Sequence, residues 1–260
     1  MQVGIVGIGH VGNTMVELFP NAVKYDINHD YDTPDMINQC DIAFVCVPTP
    51  MRKDGSCNTD IVSNVLAWLN TSLIVLRSTV PVGYTDTMRK ILNKRIIFQP
   101  EYYGETINHR FANPHNRSWI TLGGPTEDCE IVSQLYQTIF TSEIIINIVD
   151  AKTAELAKYM ENCFYATKVT FCNQFYDLAQ KYGVNYSQLR ETWLLDPRIS
   201  RDHTFVYQDN RGYGGSCLPK DLAATISQGI ENGVNVDFLK QVEKTNEFII
   251  LNQCANRSMV

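Results

Sequence analysis

The sequence predicts an α/β domain built on a mostly parallel, doubly wound sheet, followed by an all-helical domain. Two observations carry this. Over residues 1–149, short apolar runs alternate with helix-compatible stretches, the pattern of βαβ units with both sheet faces covered. From Thr153 to Lys181 no Pro or Gly occurs, and Leu156, Tyr159, Cys163, Ala166 and Val169 recur at three- and four-residue intervals.

The runs at residues 3–6, 23–25, 42–47, 73–76, 96–98, 119–122 and 144–148 are the expected strands. Residues 153–181 form one long amphipathic helix and 185–193 a second, while 197–215 read as an irregular loop. Pro219 opens the next helix at the first helical position, where its missing N–H costs nothing, and residues 237–252 form the last. The expected domains are therefore residues 1–149 and 150–260.

A net charge of −6, with no basic run longer than a pair such as Arg52-Lys53, gives no electrostatic footprint for nucleic acid or an anionic membrane. The eight cysteines form no CxxC pair and the five histidines never join them at ligand spacing, so reduced thiols in a cytoplasmic protein without metal are expected. No apolar run reaches membrane-spanning length, and neither a signal peptide nor a membrane helix is expected.

Gly7-Ile8-Gly9-His10-Val11-Gly12 lies between the first strand and the first helix, and Asp26 ends the second strand. Glycines permit the tight turn and close approach to a pyrophosphate, while the helix N-terminus offers free N–H groups to the phosphates. A carboxylate at Asp26 accepts hydrogen bonds from ribose hydroxyls and repels a 2′-phosphate, which favours NAD over NADP. This makes the first domain Rossmann-like. His10 reads as a variable position of the turn rather than a catalytic base. A tight strand–helix turn in an unrelated α/β protein is the alternative.

The second informative stretch is Arg211-Gly212-Tyr213-Gly214-Gly215-Ser216-Cys217-Leu218-Pro219-Lys220-Asp221. Its glycines let a ligand approach the backbone, and a thiol at a helix start is favoured as thiolate, the state a nucleophile needs. Asp221 follows four residues on, placed to polarise a water or a substrate hydroxyl. The other seven cysteines read as small buried hydrophobes. On the long helix, Glu155, Lys158 and Asn162 share one face. That face reads either as a solvated surface with an ion pair or as a cation and an amide aimed at a developing oxyanion.

These stretches resemble the UDP-glucose 6-dehydrogenase family, within the UDP-glucose/GDP-mannose dehydrogenase superfamily. The resemblance rests on the Gly7 to Gly12 turn; Cys46-Val47-Pro48-Thr49-Pro50 with Asp54-Gly55 and Asp60; Ser78-Thr79-Val80-Pro81-Val82-Gly83; Pro100-Glu101; Ala154-Glu155-Leu156-Ala157-Lys158-Tyr159 with Asn162; and Gly212 to Asp221. It implies an NAD-dependent four-electron oxidation of a sugar C6 alcohol to a carboxylate, through a thiohemiacetal and a thioester on Cys217. Lys158 and Asn162 would stabilise the oxyanion, Asp221 and Thr79 would move protons through water, and Glu101 would assist thioester hydrolysis. Pro48, Thr49, Thr79 and Glu105 would join Gly7, Gly9, His10, Val11, Gly12 and Asp26 in holding NAD. Gly214 and Gly215 would meet the substrate, with Arg198 reaching that of a neighbouring subunit in a homodimer. The implied setting is polysaccharide biosynthesis.

Several positions depart from the family pattern. Tyr103-Gly104 replaces a Leu and a variable residue, Arg77 stands where Lys commonly precedes Ser-Thr, and an extra residue sits between Pro114 and Arg117. The separation from Arg198 to Cys217 is a few residues longer than usual. The family continues into a third domain that grips the nucleotide, whereas this sequence ends at Val260, so a separate chain, the dimer or a smaller substrate is expected to supply that grip. Two other readings stay open: a two-electron β-hydroxyacid dehydrogenase of the 6-phosphogluconate-dehydrogenase-like group, and a non-catalytic module that binds NAD or a partner. Within the resemblance, Val47-Pro48-Thr49-Pro50 leans toward UDP-linked sugars over GDP-mannose, with glucose, N-acetylglucosamine and N-acetylmannosamine all open.

Overall fold

The computed structural model describes residues 1–102, 113–140 and 144–257. The chain divides into two compact units, one of Met1–Pro50 with Cys57–Lys158 and one of Met51–Ser56 with Tyr159–Val260.

The first unit runs β1 (Val3–Val6), α1 (His10–Leu18), β2 (Val23–Tyr25), α2 (Pro34–Asn38), β3 (Ile42–Val45), α3 (Asp60–Trp68), β4 (Leu73–Leu76), α4 (Tyr84–Leu92), β5 (Ile96–Phe98), β6 (Trp119–Gly123), α5 (Thr126–Gln137) and β7 (Ile145–Val149). The strands form one sheet in the order β2-β1-β3-β4-β5-β6-β7. Every pair is parallel except β5 with β6.

Alternation along each strand explains the double winding. Ile5, Phe44, Val75 and Ile97 point into one core with α1 and α5 residues such as Met15 and Val132. Val6, Val45, Leu76 and Phe98 point into the opposite core with Val62 and Leu66 of α3. Lys94 fastens this second layer, since its ammonium donates to the carbonyls of Leu66 (2.7 Å), Ala67 (3.1 Å) and Leu69 (2.7 Å) that end α3.

Several boundaries differ from expectation. β3 ends at Val45 rather than residue 47, because Pro48 has no N–H for a ladder and disfavours it just upstream. β7 is shifted by one residue. The long helix α6 (Ala151–Tyr182) starts two residues early, where Asp150 accepts the Thr153 N–H at 2.9 Å and its hydroxyl at 2.6 Å.

The second unit contains the later turns of α6 with α7 (Tyr186–Trp193), α8 (Leu218–Glu231) and α9 (Asp237–Arg257). Cys163, Ala166 and Val169 of α6 pack with Tyr213, Leu222, Ile226 and Val242 in one small core. Helix α8 begins at Leu218 with Cys217 as its N-cap, so Pro219 holds the second helical position, not the first. Either place leaves the missing N–H among those that make no intrahelical bond.

Candidate active site

In a parallel sheet the carboxyl ends of the strands share one edge, and ligands favour the crevice where strand order reverses. Here β1 is that strand, with β2 on one side and β3 on the other. The glycine turn follows it directly. Gly7 has φ +88°, and a Cβ there would sit 3.0 Å from the Cys46 carbonyl and from Val47. A Cβ at Gly12 would lie 1.9 Å from the Gly7 oxygen, whereas Gly9 has open space around it. Two glycines are thus required by the fold, and the third leaves the backbone open to a ligand, which fits a diphosphate at the start of α1.

His10 is exposed on the first turn of α1 and Val11 is half-buried. Asp26, just past β2, accepts N–H bonds at 2.8 Å from Ile8 and from Asn28. Burial works against its charge, but the Asn28 and Ile8 bonds, with His29 nearby, hold its carboxyl below the usual range. It stays ionised, and its remaining lone pairs suit ribose hydroxyls.

Past β3, Pro48 is exposed and Thr49 buried. The Ser78 hydroxyl, past β4, donates to the Val47 carbonyl at 2.7 Å and ties that loop to the one carrying Thr79. Past β5, Glu101 is buried and paired with the Arg77 guanidinium. Arg77 also reaches the Tyr136 hydroxyl at 3.5 Å, which donates to Gln99 at 2.8 Å. Lys158 of α6 places its ammonium 5.1 Å from the Tyr102 ring centre. Glu105 lies outside the described residues.

Glu155 does not fit the solvated face with an ion pair, one of the two readings of its helix face. It is 1% exposed, and its carboxylate accepts the N–H groups of Gly83 (2.5 Å) and Thr85 (2.9 Å), capping α4 from another element. Burial pushes its carboxyl up, and the bonds from Thr85 and Gly83 pull back.

In the second unit, Cys217 is exposed, with the Ser216 hydroxyl 3.6 Å from its sulfur. Asp221, one turn into α8, is 1% exposed and accepts bonds from the Asn162 amide and the Lys220 ammonium. Asn162 and Asp221 are therefore one hydrogen-bonded unit, a pairing that the sequence left unlinked. Gly214 and Gly215 are exposed. Arg198 is exposed and held by both carboxylate oxygens of Asp196, at 3.0 and 3.1 Å from its Nε. Among the described residues no cluster of His, Cys, Asp or Glu is placed to hold a metal, and no helix is long and apolar enough to cross a membrane.

The profile of the UDP-glucose/GDP-mannose dehydrogenase family's NAD binding domain matches residues 17–140, and that of its central domain matches residues 152–248. The chain belongs to the UDP-glucose/GDP-mannose dehydrogenase family. Members of this UDP-glucose/GDP-mannose dehydrogenase family are NAD-dependent oxidoreductases, and the chain carries the family's NAD-binding domain. It is 30% identical over 224 residues to the UDP-glucose 6-dehydrogenase of Pseudomonas aeruginosa, covering 79% of this chain and 48% of that one. The chain spans about half the length of the curated relatives it matches. In fold it is similar to a UDP-glucose dehydrogenase from Pyrobaculum islandicum, with a TM-score of 0.82 at 23% identity over 95% of this chain and 68% of that one. It is also similar to the 3-hydroxyisobutyrate dehydrogenase of Mycobacterium tuberculosis, with a TM-score of 0.72 at 15% identity over 95% and 94%.

Sequence reasoning gave no role to Lys220, although its place beside Asp221 was the available signal. It also missed the partnership of Arg77 with Glu101, 24 residues apart. Cysteine reactivity separates the thiols directly. Burial pushes Cys46 up to about 12 and Cys129 to about 11, while Cys217 is the one exposed cysteine among those described. At pH 8 only about one Cys46 in ten thousand is thiolate, so iodoacetamide is expected to modify Cys217 well ahead of Cys46 and Cys129. Peptide mass spectrometry reads the order, and early labelling of Cys46 would contradict it.

Proposed function

We propose that the chain oxidises the C6 alcohol of a UDP-hexose to the uronate in two steps, with Cys217 holding the intermediate covalently. The carrying observation is the buried Asn162–Asp221 pair, joining the helix that Cys217 caps to the helix that bears Lys158 one turn earlier. Residues 1–149 serve NAD, and residues 150–260 supply the nucleophile and the subunit contact.

Gly7, Gly9 and Gly12, with His10 and Val11, cradle the diphosphate, Asp26 takes the ribose, and Pro48, Thr49 and Thr79 line the same strand ends. Glu105, outside the described residues, is assigned to NAD by motif position alone. When bound, NAD accepts a hydride from C6 in each oxidation. In the first, Asp221 and Thr79 take the hydroxyl proton through water and an aldehyde results. The Cys217 sulfur then bonds to the aldehyde carbon, while Lys158 and Asn162 donate hydrogen bonds to the resulting oxyanion. The second oxidation leaves a thioester. Glu101 takes a proton from the attacking water, the C–S bond breaks, and the acid leaves as the thiol is restored.

Gly214 and Gly215 let the sugar approach, and Arg198 contacts the substrate of a neighbouring subunit. Exposed Phe164, Phe171, Phe175 and Leu178 along α6 support a homodimer, since large apolar patches favour being covered. A separate chain that grips the nucleotide is a further partner on this reading.

Incubation with NAD and UDP-glucose, UDP-N-acetylglucosamine or UDP-N-acetylmannosamine is expected to release two NADH per acid and to leave an acyl adduct on Cys217 in quenched samples. Silence across the panel, with and without a chain supplying the nucleotide site, would sink the proposal. The four-residue spacing of Lys158 and Asn162 also suits a two-electron β-hydroxyacid dehydrogenase, which releases one NADH and forms no adduct. Calorimetric NAD binding without any turnover would instead identify a non-catalytic module.

A further inference from the structure

The backbone leading to Cys217 is held by three side-chain amides. Three consecutive N–H groups donate to them: Arg211 to Gln253 Oε1 at 2.8 Å, Gly212 to Asn173 Oδ1 at 3.2 Å, and Tyr213 to Asn246 Oδ1 at 2.8 Å. Asn246, from α9, also returns a bond, its Nδ2 donating to the Tyr213 carbonyl at 2.9 Å. Its amide thus pairs with both polar groups of one residue, which fixes which end is oxygen. Asn173, from α6, is fixed by donating to the Val169 carbonyl at 2.9 Å and by accepting the Arg211 Nε at 2.6 Å.

Both asparagines are almost wholly buried, at 5% and 1% exposure. A buried amide is costly unless bonded, and a residue such as Leu would pack into the same helix faces without that demand. Gly212 fits the same constraint. Its φ is +76°, and a Cβ would come within 2.5 Å of the Asn246 oxygen. Beyond this anchor, residues 214–217 are all exposed until α8 begins. The clamped Tyr213 and the first turn of α8 bound this approach to the thiol on either side.

We propose that Asn246 is a positioning residue: by clamping Tyr213 it makes α9 set the course of Gly214-Gly215-Ser216 and the order of the helix start that bears Cys217. This rests on the reading of Cys217 as the nucleophile.

The test uses the full chain and the variants Asn246→Ala and Asn246→Asp. The Asp variant keeps the acceptor for the Tyr213 N–H but loses the donor to its carbonyl. Lys240→Ala, at an exposed pair on α9, is the control. Hydrogen exchange of peptides covering residues 211–217 is expected to rise about tenfold in both Asn246 variants, with α6 and the later turns of α8 unchanged, the size of effect of one or two lost bonds. Alkylation of Cys217, followed by peptide mass spectrometry across pH, is expected to shift to higher pH. Its rate at pH 7 should fall about two- to fivefold, as an ordered helix N-terminus stabilises thiolate by that order. With a turned-over UDP-sugar, kcat should fall while KM for NAD holds.

Unchanged exchange at 211–217, or an increase spread evenly over α6 to α9, would overturn the proposal by assigning Asn246 to general stability alone. An unmoved Cys217 pH profile would overturn it as well. A wild-type chain that forms no NADH, yet shows the local exchange and alkylation changes in its variants, sinks the proposed reaction and leaves the positioning role standing.

Discussion

Cys217→Ala is expected to abolish uronate formation, lowering its rate by about a thousandfold or more, while NAD binding persists. On the proposed route the effect is large because the second oxidation acts on a carbon bearing a C–S bond. Without the sulfur an aldehyde has only its hydrate to offer. A burst of NADH of at most one equivalent, with free aldehyde trapped by a hydrazine, is the expected residue of activity. Cys217→Ser separates nucleophilicity from size, since an alkoxide is far less available than a thiolate at neutral pH. Retention of full activity in Cys217→Ala would remove the thioester route and favour the two-electron alternative. The sulfur is exposed, so its removal leaves no cavity in a core.

The sheet was legible because its central strands are buried on both faces. Leu73–Leu76 and Ile42–Val45 are continuous apolar runs, which only a covered, mostly parallel sheet tolerates. The reversed direction of β6 was not legible, since Trp119–Gly123 reads the same way in a parallel or an antiparallel pair. The glycine turn and the Cys217 helix start were visible for the same local reason: φ, Cβ clearance and capping depend on neighbours in sequence. Roles set by distant partners were hidden. Glu155 resembles one member of a surface ion pair until the N–H groups of Gly83 and Thr85, some 70 residues earlier, are seen to claim it. Asn246 lies 33 residues from Tyr213, and no periodicity marks an amide whose partner is a peptide group. The pairing of Asn162 with Asp221 spans 59 residues, although each had been singled out by its own motif.

The largest stability effect is expected from Arg77→Met. Arg77 and Glu101 are both buried, with side-chain exposures of 1% and 10%, so each charge has given up most of its water. Methionine fills much of the volume but takes the Arg77 guanidinium away from a buried carboxylate, a change that typically costs about 3–5 kcal/mol, or roughly 10 °C in Tm for a chain of this size. The pair itself is worth much less than that, because forming it also required desolvating both ions. The double variant Arg77→Met/Glu101→Gln should therefore recover most of the loss, since neither member of the pair is then charged. Arg77→Lys should fall between the two: it keeps the charge but gives up the planar fork that also reaches Tyr136. Thermal or urea unfolding of the four proteins decides the point. If the single and double variants are equally unstable, the Arg77 contribution is packing and not charge compensation. If Arg77→Met costs less than about 1 kcal/mol, the ion pair is not the feature that fixes Glu101 at the end of β5.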